Sequence, residues 1–161
     1  IGCAVEIAVQ QELPDGRSNI LCVGVSRFHL VGYIEGEPYI QAQIEFFDDD
    51  IAFDDLSNEV QQAKSLFVRL SAIIRKLRGE KDADDEAMPD LPDDPQALSF
   101  ILAAYLDIDV SDKQDLLEMT DTSLRLREVI RLLEELADDY EKRALANQLS
   151  KSNGHAGHMP K

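Results

Sequence analysis

The sequence predicts an α+β fold in which an antiparallel β unit is followed by an α-helical bundle. Apolar residues alternate with polar ones within residues 1–53, and from about residue 54 they recur at helical spacing. Clusters of Pro, Gly and Asp separate the segments. We therefore expect a β-rich subdomain at 1–53, a helical subdomain at 54–150 that contains an acidic linker at 80–95, and a flexible tail at 151–161.

Four strands are predicted in the first part. Residues 5–9 alternate between apolar and less apolar side chains, which is typical of a strand with one buried face. Residues 19–25 are almost wholly apolar, which indicates a central strand, and residues 28–34 form a third candidate. The clearest alternation covers residues 40–46. Because short turns rich in Pro and Gly join these segments, an antiparallel meander or a small barrel is expected.

The helical part begins with a long amphipathic helix. Apolar residues follow i, i+3, i+4, i+7 spacing from Val60 to Leu77, and Gly79 is expected to end the helix. The acidic linker that follows contains three prolines and is expected to stay extended. A calcium-binding loop is the alternative for these acids, but the central glycine of such a loop is missing.

Three further helices are predicted. Residues 95–106 are apolar on nearly every side, which is typical of a buried helix, and Asp94 is expected to cap its start. Ser111 is predicted to begin the third helix, with Gln114 completing a capping box. Asp121 is predicted to cap the fourth and longest helix.

Composition narrows the class of partner. The 161 residues carry 32 acidic and 16 basic side chains, a net charge of −16. Nucleic acids and anionic membranes are bound by clustered Lys and Arg, so neither partner is expected. No apolar run reaches the ~18 residues of a membrane-spanning helix, and no secretion signal is visible. Cys3 and Cys22 are interpreted as buried, reduced thiols of a cytoplasmic protein, with a disulfide between neighbouring strands as the alternative.

The sequence predicts no catalytic residue, no cofactor and no metal. The phosphate-binding pattern GxxxxGK[ST] and the hydrolase motifs HExxH and GxSxG are absent. His29 is interpreted as a structural residue, and His155 and His158 lie in the expected tail, where they fix no metal geometry. The acidic run at residues 48–50 is interpreted as a solvated face or a cap, because raising a carboxylate pKa requires burial.

A set of short motifs extends through both halves of the sequence, from about Gly2 to Glu135. The longest is the apolar segment at residues 98–106. The shorter ones are Gly16-Arg17, Gly24, Arg27-Phe28, Pro38-Tyr39, Ala42, Lys113-Gln114, Leu116-Leu117-Glu118, Asp121, Arg125-Leu126 and Leu132-Leu133-Glu134. In their order and spacing these motifs resemble the Lon protease N-terminal domain, also called the Lon substrate-binding domain, and residues 98–106 look like the buried helix of that family.

The resemblance implies a PUA-like pseudo-barrel followed by a helical bundle, with a role in recognising unfolded or tagged polypeptides and in assembling a protease ring. It implies no catalytic residue. The Pro-rich opening strand of the family is missing, so an exposed sheet edge and self-association are expected. Ser18 follows a turn similar to the family's nucleophile motif, but Asn19 and Ile20 replace the required Ala-Gly, so this segment is interpreted as a hairpin turn.

Three functional hypotheses follow. The favoured one is a stand-alone, non-catalytic Lon-like protein that binds polypeptides, since residues 151–161 look like a natural end. The alternative is an excised N-terminal domain of a full ATP-dependent Lon protease, and the third is a small hydrolase that uses acidic residues. The candidate polypeptide-binding residues lie near turns and at the strand-to-helix boundary, and the alternative for each is a core position: Tyr33, Tyr39, Phe47 and Phe53.

Overall fold

A computed structural model of the chain describes residues 1–36, 38–50, 55–79 and 89–153. Within these residues, a three-stranded antiparallel sheet precedes four α-helices. The predicted α+β class, with a β unit followed by a helical bundle, is therefore confirmed.

The sheet consists of β1 (Gly2–Glu12), β2 (Ser18–Ile34) and β3 (Gln41–Phe47), in the order β1-β2-β3. The prediction of two separate strands at 19–25 and 28–34 is wrong, because both belong to the 17-residue strand β2. Neither Pro nor Gly occurs between these two segments, so nothing in the backbone interrupts the strand. The central position predicted for residues 19–25 is also wrong, because this part of β2 pairs with β1 alone and β3 pairs only with residues 27–34.

The strand register divides the sheet into two hairpins that share the middle of β2 and extend from it in opposite directions. β1 pairs with residues 18–28 of β2, whereas β3 pairs with residues 27–34. All three strands therefore lie side by side only near Arg27 and Phe28. A two-stranded hairpin has no second layer of its own, so both of its faces stay exposed unless another element packs on them.

The prediction of a buried face on the first strand is wrong. Val5, Ile7 and Val9 are each more than half exposed. Their alternation is that of a strand with one apolar face, but the helices of the bundle pack chiefly on one another, α1 on α4 and α2 on α4. Apolar periodicity indicates which side chains share a face and does not guarantee a covering layer.

The helices are α1 (Ser57–Arg78), α2 (Pro95–Tyr105), α3 (Val110–Glu118) and α4 (Thr122–Asn153). Their apolar stripes meet in one core between the helices. The buried members of this core are Val60, Ala63, Phe67, Leu70, Leu98, Leu102, Ala103, Leu106, Leu116, Leu126, Val129, Ile130, Leu132, Leu133 and Ala137.

Three predicted helix boundaries are confirmed by their capping contacts. Gly79 ends α1 in the left-handed conformation, at φ +72°, which favours glycine. Asp94 Oδ1 accepts a hydrogen bond from the Ala97 backbone N–H at 2.8 Å. Asp121 Oδ1 accepts from the N–H groups of residues 123 and 124, at 2.8 and 3.0 Å.

Two details of the predicted helices are wrong. The third helix begins at Val110, Asp109 stands at its N-cap position without a side-chain cap bond, and Gln114 donates to Ile1 O instead of forming a capping box. The second helix is only partly enclosed, because Tyr105 is more than half exposed and Ala104 is also exposed. One side of α2 borders grooves rather than the core.

Candidate polypeptide-binding site

The sheet carries an apolar face that points away from the helices. Arg27 and Phe47 are register partners, and Arg27 contacts the bundle, so residues one step along each strand point to the opposite side. These residues pair across the strands as Phe28 with Phe46, Leu30 with Ile44, and Tyr33 with Ala42. We call Phe28, Leu30, Tyr33, Ile44 and Phe46 the apolar sheet face.

Four of its five members are exposed to solvent, and the fifth, Phe28, is half-buried. The rings of Phe28 and Phe46 meet edge to face, with centroids 6.5 Å apart. Phe46 is 59% exposed, and Leu30 and Ile44 are also exposed. A Cβ atom at Gly2 would lie 2.6 Å from Phe28 Cζ, so the glycine leaves room for this ring beside the neighbouring strand.

Two of the four predicted binding residues lie together at the β2–β3 hairpin. Tyr33 is 72% exposed and belongs to the apolar sheet face, and Tyr39 is 62% exposed in the connecting loop. The Tyr39 hydroxyl accepts a hydrogen bond from Gln41 Nε2 at 3.2 Å. Neither tyrosine is a core residue, which was the alternative interpretation of both.

Phe47 lies apart from this pair, on the helix-facing side of β3. Its ring stacks against His29, with centroids 4.3 Å apart, and the Arg27 guanidinium lies 4.5 Å from its centroid. The fourth predicted residue, Phe53, lies outside the described residues. The structure therefore places Tyr33 and Tyr39 at the same hairpin and Phe47 on the opposite side of the sheet.

Sequence reasoning missed Phe28, Leu30, Ile44 and Phe46 as candidate binding residues. The signal was present, because Ile44 and Phe46 belong to the clearest alternation in the chain. That alternation indicates a shared face but not whether the face is covered, and only the arrangement of the helices shows that it is open.

A buried charge cluster joins the sheet to the bundle. The Asp49 carboxylate lies between the guanidinium groups of Arg27 and Arg125 and also accepts from the Thr122 hydroxyl. Burial acts to raise the pKa of Asp49, but hydrogen bonds from Arg125 and Thr122 and the charges of both arginines outweigh it and hold the pKa below its usual value. The interpretation of residues 48–50 as a solvated run is therefore wrong for Asp49.

The two arginines of this cluster also satisfy backbone carbonyls at the end of α3. Arg27 Nη1 donates to Leu117 O at 2.9 Å and to Met119 O at 2.7 Å. Arg125 Nη1 donates to the same Met119 carbonyl at 2.7 Å, and its Nε donates to Ser99 Oγ at 2.9 Å. These bonds connect β2, α2, α3 and α4 at one point.

An apolar groove opens beside this cluster, between the middle of the sheet and α2. It encloses about 610 Å³ and includes Val25, Phe100, Ile101, Ala104 and Leu117 in its lining. We call it the junction groove. Its volume suits one or two apolar side chains of a bound chain.

Among the described residues, no group of three or more His, Cys, Asp or Glu side chains is placed to hold a metal ion. Cys3 and Cys22 are free and exposed, so the prediction of their burial is wrong, and they are not disulfide-bonded. None of the helices within the described ranges combines the length and the hydropathy that a membrane span requires.

Comparison with known proteins identifies relatives over most of the chain. The Lon protease of Syntrophus aciditrophicus is 33% identical over 131 residues, which cover 80% of this chain and 16% of that protein. Lon protease 1 of Bacillus subtilis is 31% identical over 132 residues, with coverages of 81% and 16%. The chain thus spans about a sixth of the length of these relatives.

A solved structure, the N terminal domain of Mycobacterium avium complex Lon protease, superimposes with a TM-score of 0.58 at 20% identity. The match covers 83% of this chain and 69% of that one, and it supports the fold. The family described as the ATP-dependent protease La (LON) substrate-binding domain matches residues 1–135. The resemblance predicted from the sequence is confirmed, and the chain belongs to the LON substrate-binding domain family.

Proposed function

We propose that this chain binds unfolded or tagged polypeptides without cleaving them and acts together with an ATP-dependent protease. The exposure of the apolar sheet face carries the proposal. Soluble monomers rarely leave a contiguous apolar patch in water unless it binds something. An unfolded chain is a suitable partner, because it presents apolar side chains that a folded protein would bury.

The edge of β3 supports a specific mode of binding. Within the described residues, β3 pairs with β2 on one side and has no strand partner on the other. An extended peptide hydrogen-bonds to such an edge, and every second side chain then falls on one face of the sheet. On β3 those positions are Ala42, Ile44 and Phe46, and Tyr33 and Tyr39 lie at the end of the same track.

In this mode the four predicted residues have different roles. Tyr33 and Tyr39 contact the bound chain directly, as aromatic residues commonly do in protein interfaces. Phe47 acts indirectly, because it supports Arg27 on the opposite side of the sheet. Phe53 remains a proposed contact from the sequence alone.

The test is calorimetric titration of the chain with a permanently unfolded, carboxymethylated polypeptide. We expect roughly micromolar affinity and a negative heat-capacity change, because apolar surface is buried. Tyr33→Ser combined with Phe46→Ser should weaken binding about tenfold. Leu124→Ser is the matched control, since Leu124 is 56% exposed but lies on α4, and it should change the affinity less than about twofold.

Two results would contradict the proposal. One is the absence of heat with several unfolded polypeptides. The other is an equal loss of affinity in the sheet variant and the Leu124→Ser variant, which would indicate that the sheet face makes no specific contribution.

The exposed edge also fits self-association, in which a second copy pairs with β3. Sedimentation velocity distinguishes this from monomeric binding. If self-association uses this edge, Phe46→Ser shifts the population toward monomer, and an added unfolded polypeptide competes with the second copy.

The second candidate function is that of the N-terminal domain within a full-length ATP-dependent Lon protease. The coverage of only 16% of each relative favours it. Immunoblotting of the native organism separates the two hypotheses. A full protease migrates several-fold above the 18.0 kDa of these 161 residues, whereas a stand-alone domain migrates far below a full protease.

A further inference from the structure

A second apolar groove lies in the helical half, away from the sheet. It runs between the C-terminal ends of α1 and α2 and the middle of α4, and it encloses about 600 Å³. The apolar and aromatic side chains that line it are Phe67, Leu70, Ile74, Tyr105, Leu136 and Tyr140. We call it the bundle groove. Tyr105 stacks on Phe67 with ring centroids 5.5 Å apart and is still more than half exposed.

Two arginines, Arg75 and Arg78, line the bundle groove from the α1 side. The sequence contains nine arginines, and the other seven lie within 3.5 Å of a carboxylate oxygen. Within the part of the chain that the structure describes, Arg75 and Arg78 have no such partner. In a protein with twice as many acids as bases, the two arginines without a carboxylate partner among the described residues therefore line the same apolar groove.

The groove contains one acidic side chain as well. Asp107, two residues after α2, lines it, whereas both arginines lie on α1. A carboxylate in the groove is attracted toward Arg75 and Arg78 and repelled from Asp107. Guanidinium groups bind carboxylates with directed, charge-assisted hydrogen bonds, and apolar side chains beside them fill the cavity.

We propose that the bundle groove binds a polypeptide segment of a partner in which apolar side chains adjoin one or two Asp or Glu residues. The carboxylates face Arg75 and Arg78, and the apolar side chains lie against Tyr105 and Leu136. This site is separate from the apolar sheet face, so it adds a second recognition surface with a different preference. Two arginines with no carboxylate partner among the described residues, set beside an apolar lining, are what select an acidic, apolar segment.

The test is fluorescence anisotropy with a short labelled peptide that carries Leu, Phe and two adjacent Glu residues. Arg75→Gln with Arg78→Gln should weaken its binding about fivefold to tenfold. Lys76→Gln is the matched control, because Lys76 lies in the same last turn of α1 but does not line the groove. It should change the affinity less than about twofold, although it removes the same favourable interaction with the helix dipole.

A peptide in which Lys replaces both Glu residues should bind at least about fivefold more weakly to the unaltered chain. Tyr33→Ser with Phe46→Ser should leave binding of the acidic peptide unchanged, so this site can fail or succeed independently of the proposed function. Equal binding of both peptides, or equal losses in the double arginine variant and Lys76→Gln, would overturn the proposal. Binding that appears only after Asp82, Asp84, Asp85 and Glu86 are changed to Asn or Gln would also overturn it, in favour of the chain's own carboxylates.

Discussion

Arg125 and Asp49 form an ion pair that is closed to solvent where the sheet meets the helices. The Arg125 side chain is fully buried, Asp49 is 6% exposed, and Arg125 Nη1 donates to Asp49 Oδ1 at 3.1 Å. Arg27, from β2, approaches the same carboxylate and is itself 7% exposed. The single negative charge of Asp49 thus compensates two buried guanidinium groups, one from the sheet (Arg27) and one from the helical bundle (Arg125).

We first predict that Asp49→Ala is strongly destabilising. The substitution leaves the guanidinium groups of Arg27 and Arg125 buried without a counterion, and breaking a buried pair in this way typically costs about 3–5 kcal/mol. Urea unfolding followed by far-UV circular dichroism measures the loss. Glu135→Ala provides the control, because its ion pair with Arg131 is exposed and is expected to contribute less than about 1 kcal/mol. Similar losses in both variants would contradict a special role for the buried pair.

The second prediction concerns pH. Because the pKa of Asp49 is lowered on folding, the unfolded chain binds more protons than the folded one in the acidic range. The contribution of Asp49 to the free energy of unfolding is therefore complete well above its usual pKa of 3.8, and it is lost as the pH falls from there through the folded pKa.

Asp49→Asn tests this dependence, because the variant keeps the shape of the side chain and cannot ionise. It should be less stable than the unaltered chain at neutral pH, and the difference should narrow as the pH falls below about 4. Urea titrations at a series of pH values give the comparison. A difference that stays constant down to about pH 2.5 would mean that ionisation of Asp49 does not support the junction.

The third prediction compares two helix starts. Asp94→Ala removes a carboxylate that accepts from a backbone N–H at the start of α2, and it should cost about 1 kcal/mol. Asp109→Ala changes the same residue type at the N-cap position of α3, where the side chain makes no cap bond, so its effect should stay below about 0.5 kcal/mol. Thermal unfolding of both variants measures the difference. The reverse order would show that capping does not determine these two boundaries.

The helical half was largely predictable because its signals are local. Asp94 and Asp121 lie within three residues of the N–H groups that they cap, and Gly79 adopts its left-handed conformation at the end of its own helix. The third helix start was mispredicted because Gln114 bonds to Ile1 O, a group 113 residues away. A distant partner of this kind leaves no trace in the sequence near the helix.

The sheet and its binding surface were less predictable for the same reason. Alternation identified Ile44 and Phe46 as belonging to one face, but whether that face is covered depends on where the helices pack. Asp49 was interpreted as solvated because it lies in an acidic run, yet it meets an arginine 76 positions later in the chain. The local sequence shows which residues adjoin Asp49 along the chain, whereas its burial depends on the residues that surround it in space.

The division of β2 between two hairpins has a mechanical consequence. The buried polar contact between the sheet and the helices is made by Arg27, near the middle of β2, with Asp49, which follows β3. Tyr33 lies six residues beyond Arg27 along β2, roughly 20 Å away. The tip of the β2–β3 hairpin therefore projects well beyond the charged cluster that attaches the sheet to the helices. A force on the hairpin tip, such as a pull on a bound polypeptide, would act on the helices as a torque through the ion pairs of Arg27, Asp49 and Arg125.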